Sequence, residues 1–362
     1  MDHVTSRAPA KYDRNAWAES GVEDLGGGLY RIPLPLPNDA LTAVNVYAIT
    51  GEHGVDLVDA GMALDQARDR LTEALGQLGY GLPDIRNFFI THIHQDHYTL
   101  AVQLRSTLRG QIALGEEERI NMVAIREVAQ GRGEPGFIEM LPALGAAGLA
   151  DQVRAILAPG LANPTAKLEW DDPDRWLGDG TVIDLPSRSL RAIHTPGHTR
   201  GHVVFHDEAG GLLFAGDHVL PHITPSIGFQ PAITRQALSQ YLGSLRLMLT
   251  LPDSRLLPAH GPVSDSTHTR VHELLAHHET RLEQTLEAAS GGPVTAFVTA
   301  GALPWTRRKR KFADLDPMNQ LLAVGETAAH LEVLVVRGQL VRVTSPEGVD
   351  FYSLPALLVT EK

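Results

Sequence analysis

The sequence predicts an α/β fold, and three observations carry the prediction. Short apolar runs alternate with a helical pattern between residues 44 and 90. The segment "THIHQDHYTL", residues 91 to 100, crowds His92, His94, Asp96 and His97 directly behind the apolar "FFI". Three later apolar runs each close on a side chain of the same chemical type, His198, Asp217 and His260. Strand ends in α/β sheets are where sites are usually assembled.

In chain order, the first ~20 residues read as a loose tail, by composition and position. "VNVYAITGEHGVDLVDAG" holds two apolar runs around the turn-forming "GEHG", a hairpin of buried strands ending at Asp59. Ala67, Leu71, Leu75 and Leu78 recur at helical spacing, so an amphipathic helix is predicted over 63 to 79. "GYGLPD" breaks it, and "IRNFFITH" follows as a short strand. Residues 116 to 158 have helical periodicity without strand alternation and read as an inserted helical segment. Such an insertion forms a lid that sets substrate size, or else extra packing or a homodimer surface. "LRAIHTPGHTRGH" is a strand and a Pro-Gly turn with His198 just past it. "GGLLFAGDHVL" is a strand ending at Asp217, and "SRLLPAHGP" one ending at His260.

After "PAHGPVSD" the register changes, which divides the chain into a catalytic domain at 21 to 265 and a C-terminal domain at 266 to 362. Val271, Leu274, Leu275, His278, Leu282 and Leu286 trace one face of a long helix. "VTAFVTAGAL" is a short helix, and a third runs from about Pro317 to Val336. "RGQLVRVTSPEGVDFYSL" then gives two strands around a "SPEG" turn.

The histidine cluster has a chemical reading. Side chains of an extended or looping segment alternate, so His92 and His94 project to one side. Asp96 and His97 follow where the chain turns into a helix. Imidazole nitrogens and a carboxylate converging from one short loop suit a divalent metal, zinc above all. One isolated histidine would be a solvated loop residue; four ligand-type residues together call for more. His202 heads a strand and reads as a structural support. His218 and His222 flank the Asp217 loop and face either substrate or solvent, and Tyr98 is a further candidate substrate contact. His268, His272, His277 and His278 lie on a predicted helix, as a solvated or packed face.

Composition narrows the functions. The 362 residues exceed one core of ordinary size. A net charge of −12 gives no global pull toward nucleic acid or anionic membrane. With no cysteine, disulfides, thiolate ligands and cysteine nucleophiles are excluded. The polar start lacks a signal-peptide core, and no stretch approaches the ~20 apolar residues of a membrane span, so a cytoplasmic protein with a small-molecule substrate is expected. Arg307, Arg308, Lys309, Arg310 and Lys311 form the strongest basic run. It reads as a solvated loop, or as a phosphate contact for RNA or a coenzyme A arm. Trp305, just before it, reads as a packing anchor.

In this order, the motifs resemble the metallo-β-lactamase superfamily of hydrolases. Its H-x-H-x-D-H pattern is similar to His92, His94, Asp96 and His97, and its later single ligands look like His198 in "TPGHT", Asp217 in "AGDH" and His260 in "PAHGP". Asp59 in "LVDAG" matches its supporting aspartate. The resemblance covers residues ~40 to 265 and implies an αβ/βα sandwich with metals at one edge, between two mixed sheets. It implies that His92, His94 and His198 hold one divalent ion, that Asp96, His97 and His260 hold a second, and that Asp217 bridges them. Zinc comes first, with iron or manganese as alternatives. The C-terminal order of helices and hairpin resembles the winged-helix tail of the glyoxalase II-like, β-lactamase-like-2 branch, whose relatives include a single-strand endoribonuclease.

Metal coordination lowers a water's pKa from about 15.7 to around 7. A metal-bridging hydroxide that cleaves a small ester, thioester or lactone is therefore expected, with Asp59, Asp96 and Asp217 as the carboxylates of the reaction. His94 favours hydrolysis over flavodiiron-type redox chemistry, where a carboxylate commonly stands at that position. The alternatives are a metal-dependent endoribonuclease and a mononuclear iron oxygenase resembling the persulfide dioxygenases. A purely DNA-binding role leaves the metal set unused, and β-lactam hydrolysis is not favoured.

Overall fold

The computed structural model describes residues 16–19, 21–37, 41–161, 170–306 and 309–355. The first sheet runs in chain order: β1 (Glu23–Gly26), β2 (Leu29–Pro35), β3 (Ala43–Gly51), β4 (Gly54–Val58), β5 (Ile85–Ile90), β6 (Gln111–Gly115) and β7 (Arg175–Leu177). Its first four strands are antiparallel; from β4 to β7 the pairing is parallel. Parallel neighbours need a crossover. These are α1 (Asp65–Gln77), α2 (Gln95–Arg105), and a longer passage through α3 (Arg119–Ala129), α4 (Gly136–Glu139) and α5 (Ala147–Leu161). The second sheet comprises β8 (Val182–Asp184), β9 (Ser189–His194), β10 (Val203–Asp207), β11 (Leu212–Gly216) and β12 (Arg255–Pro258). Its β11 and β12 are parallel, joined across α6 (Ala237–Met248). The expected hairpin, first helix and ligand-bearing strands are all present. The strands β6 and β7, at the two ends of the insertion, lie outside that expectation.

Alternation along the strands builds the layers. Tyr47 and Phe89 face the space between the sheets with Phe205 and Phe214, while their neighbours Val46, Ala48, Phe88 and Ile90 face α1 and α2. Val204 points the other way, into the helices behind the second sheet. Helix, sheet, sheet, helix is the αβ/βα arrangement that the resemblance implies.

The C-terminal region adds α7 (Thr267–Ala288), α8 (Ala296–Ala302), α9 (Pro317–Val336) and a hairpin of β13 (Val341–Thr344) and β14 (Asp350–Ser353). The order is the expected one, but the core is not a separate one. A single buried cluster joins Leu149 and Val153 of the insertion, Leu238 and Tyr241 of α6, Leu274 of α7, and Val324 and Leu331 of α9. Helix α9 is apolar nearly all round, and every residue from Thr327 to Leu334 is buried. Such a helix belongs in an interior. The hairpin closes on the insertion, with Asp350 N–H donating to Ala143 O at 2.8 Å. The second half of the insertion packs into this shared core, while Glu118 at the start of α3 reaches the loops of His92 and His198.

Of the basic run, Arg307 and Arg308 lie outside the described residues; Lys309, Arg310 and Lys311 are exposed. Trp305 is buried, donates from Nε1 to Ala300 O at 2.9 Å and carries the Arg281 guanidinium 4.2 Å over its ring. It anchors packing. Among the described residues no helix is long and apolar enough to cross a membrane.

Candidate metal centre

Each candidate ligand sits just beyond a strand. After β5 the chain runs through Thr91 to His92 and His94; His94 takes the extended N-cap position of α2, which sets Asp96 and His97 in its first turn. His198 follows β9 across the Pro196–Gly197 turn. Gly197 has φ +141°, and a Cβ there would run into Tyr241. Only glycine fits that approach. Asp217 follows β11, and His260 follows β12.

The side chains converge in two groups. His92 Nε2, His94 Nδ1 and His198 Nε2 lie 3.0 to 3.2 Å apart. Nitrogens around a tetrahedral ion with bonds of 2.0–2.1 Å would stand about 3.3 Å apart. Asp217 faces both groups: Oδ2 is 3.4 Å from His198 Nε2, and Oδ1 is 3.4 Å from His260 Nε2 and 3.7 Å from His97 Nε2. Asp96 Oδ2 lies 3.4 Å from His260 Nε2 and 3.5 Å from His97 Nε2. His97 Nε2, His260 Nε2 and Asp217 Oδ1 are buried without a hydrogen-bond partner. Buried polar atoms are seldom left so. The donor set and its spacing fit divalent cations, one near His92, His94, His198 and Asp217, another near Asp96, His97 and His260.

The far side of each ring is fixed. His198 Nδ1 donates to Ser226 O at 2.8 Å, and His260 Nδ1 to Ala43 O at 2.7 Å. Asn45 Nδ2, two residues on from Ala43, donates to Pro258 O and Gly261 O and ties the sheets together beside it. Asp59 serves both groups. Its Oδ2 accepts from His97 Nδ1 at 2.9 Å, and its carboxylate accepts from Thr91 Oγ1, which in turn accepts from His92 Nδ1 at 3.1 Å. Asp59 holds φ +59°, the left-handed region that non-glycine residues rarely adopt. Such partners set the tautomer and leave Nε2 as the free donor atom.

Electrostatics divide the groups. Burial, with His198 close by, lowers the His94 imidazole to about 3. Burial also lowers His92 well below its usual value, and His198 with it. It would lower His97 too, but Asp96, Asp59 and Asp217 more than reverse this and raise it to about 10. Burial alone would raise Asp96; His97 and His260 hold it well below the carboxylate range. The negative potential that Asp96, Asp59 and Asp217 set up around His97 is one that a cation would satisfy.

The remaining candidates stand elsewhere. His202 is buried, stacks on His92, and accepts from Asp217 N–H at 3.2 Å, holding the aspartate's backbone. Tyr98 packs behind α2, stacked on Trp170, with its hydroxyl donating to Asp171 O at 2.6 Å. His218 is buried edge-on against Tyr241. Both are corrections to the expected substrate contacts, since helix packing has turned them away from any solvent-reachable ligand. His222 is exposed, in a cleft with Arg270 and Lys309. His278 is buried with its Nδ1 3.2 Å from His330 Nε2, a packed pair and no ligand group.

One residue was not foreseen. Glu118, at the start of α3, is fully buried and accepts from Ile93 N–H, Thr199 Oγ1 and Asn121 Nδ2. It joins the loop of His92 and His94, the loop of His198, and α3. In "GEEE" nothing sets it apart from its exposed neighbours.

Stacked sheets with a histidine and aspartate cluster at their shared edge define a metal-binding αβ/βα protein. The sequence profile of the metallo-beta-lactamase superfamily matches residues 40–260, and the chain belongs to that superfamily. A probable metallo-hydrolase of Bacillus subtilis, YqjP, is 26% identical over 84% of this chain and 90% of its own. The lactamase-like protein aptB of Emericella nidulans is 34% identical over 35% of this chain, a match spanning only 38% of the fungal protein. Among solved structures, a metallo-beta-lactamase family protein of Thermus thermophilus superposes with a TM-score of 0.70 at 28% identity, over 92% of this chain and all of that one.

Proposed function

We propose that the chain is a dinuclear metallo-hydrolase of a small ester, thioester or lactone. The observation that carries this is the convergence of seven donors in two groups that share Asp217. In this reading His92, His94 and His198 hold one ion, Asp96, His97 and His260 the other, with zinc first among candidates. Bound there, divalent ions would acidify a water and polarise a carbonyl. The chain's own part is positioning. Asp59 and Thr91 fix the rings of His97 and His92, Ser226 and Ala43 fix His198 and His260, and His202 holds the Asp217 backbone. His94 and Asp96 are half-buried and leave the cluster reachable from solvent.

Metal analysis of the purified protein, with turnover on thioesters, lactones, a phosphodiester and single-stranded RNA, tests this reading. About two zinc or similar ions per chain and cleavage of an acyl substrate are expected. One iron per chain with oxygen uptake and no hydrolysis would overturn it. Asp217→Ala should abolish turnover and lower the metal content while leaving the circular dichroism unchanged; full turnover with two ions would refute the bridge.

A further inference from the structure

Between β11 and α6, residues 217 to 236 form neither helix nor strand. Loops of this length are uncommon without a function, and their backbone groups must find partners elsewhere. This loop touches three parts of the metal-type cluster. It begins at Asp217, which faces both groups. Pro221 packs on Gly261, the neighbour of His260; Gly261 has φ +107°, and a Cβ there would run into the Pro221 ring. The carbonyl of Ser226 accepts from His198 Nδ1 at 2.8 Å.

The middle of the loop is held from the C-terminal region. Arg270, near the start of α7, donates from Nε to Leu220 O at 2.6 Å and from Nη2 to Ile223 O at 3.0 Å. Its Nη1 meets Glu273 at 2.7 Å. The helix itself gives no reason for a cation here, since the dipole at a helix N-terminus favours anions. Leu220 is buried, and a buried carbonyl that loses its donor is costly. A guanidinium offers its donors in one rigid plane, so it fixes two carbonyls at a set spacing; an ammonium is a single point. Helix α7 lies past residue 260, where the superfamily profile ends.

We infer that Arg270 is a positioning residue of the metal centre. By fixing Leu220 and Ile223 it sets where Asp217 and the Ser226 carbonyl stand, and through Ser226 it orients the ring of His198. The role rests on the hydrolase reading in so far as ions occupy the cluster. The tie between α7 and the loop rests on the hydrogen bonds alone.

The test uses the full chain, with metals and without. Arg270→Gln keeps a polar side chain and loses the fork. Zinc binding, read by chelator competition, should weaken about 10–100-fold. Amide exchange over residues 218 to 226 should speed up in the metal-free variant. Arg270→Lys, which reaches one carbonyl at most, should fall between. Methylguanidinium added to Arg270→Ala should restore part of the lost affinity, and methylammonium should not. Arg337→Gln is the control: Arg337 pairs with Glu279, further along α7, at 2.6 Å, and its loss should leave zinc affinity as in the wild type. Wild-type affinity in Arg270→Gln overturns the proposal, as does an equal loss in Arg337→Gln. Should Arg270→Gln fail to fold, Arg270→Lys carries the test, and affinity equal to wild type overturns it. Faster exchange without weaker binding keeps the tie and overturns its effect on the centre. A wild-type chain that binds no divalent ion removes the hydrolase reading and this role with it, while the exchange experiment still reads the tie.

Discussion

Asp59 touches no expected metal position, yet it fixes one ring of each group, His97 directly and His92 through Thr91. Asp59→Asn keeps the shape but weakens the acceptor and allows the wrong tautomer. We expect metal affinity to fall about 10–100-fold, read by chelator competition. Loss confined to one ion would contradict the double role. Glu118→Ala strands the Ile93 N–H, the Thr199 hydroxyl and Asn121 in the interior. A buried group left unsatisfied costs about 1–3 kcal/mol, so a stability loss of that order or larger should appear in urea unfolding. The seven side chains that converge stood out in the sequence because histidines and aspartates follow apolar runs in one order, and Asp59 stood out only through the family resemblance. Glu118 could not, because its burial depends on α3 folding over two distant loops. Tyr98 and His218 misled for the converse reason: nearness in sequence to the motifs said nothing of which way a packed helix or turn would face them.

At the scale of elements, the strongly periodic segments were legible. The helices α1, α7 and α9 follow from their apolar spacing, and the ligand-bearing strands from short apolar runs with a small residue at the end. The strands β6 and β7 were not: both are short, and β7 meets β6 only after the whole insertion has passed between them. Helix α9 follows the winged-helix order in sequence but is too deeply buried to serve as an exposed reading helix. Its Gly325 gives a direct check. Gly325→Ala adds a methyl group to open space in a helical backbone. It should stabilise the protein by about 0.5–1 kcal/mol, visible as a higher Tm. A lower Tm would mean that the space around Gly325 is smaller than described.

At the scale of the molecule, the register change near residue 266 suggested two domains, and composition offered no way to see that the C-terminal helices share a core with the insertion. Stability should respond to pH as one unit. In the metal-free protein, burial lowers His92, His94, His198, His202 and His218, with His94 and His218 at about 3. The unfolded chain binds these protons near pH ~6.5. More protons on the unfolded state means that stability rises with pH across this window and falls on acidification below about 6.5. His97 has the opposite sign: raised to about 10, it favours the folded state until pH climbs through that value. Tm of chelator-treated protein should therefore peak between the two limits. A Tm flat from about pH 5 to 7 would count against the buried neutral imidazoles.

The bond from His260 Nδ1 to Ala43 O joins positions 217 residues apart. On the ribosome, the N-terminal sheet is exposed long before its partner strand emerges. His92, His94, Asp96 and His97 are then available, but His198, Asp217 and His260 arrive one at a time. An ion caught early would hold an incomplete shell and exchange freely; only the finished seam offers a full one. On the proposed reading, metal loading is thus expected late in the life of each chain. Because a bound ion favours the state that holds it, it also acts as a latch on the completed molecule. Removing the ions should loosen the seam between the sheets before the helical layers on either side, and amide exchange along β3 and β12 would be the first to record it.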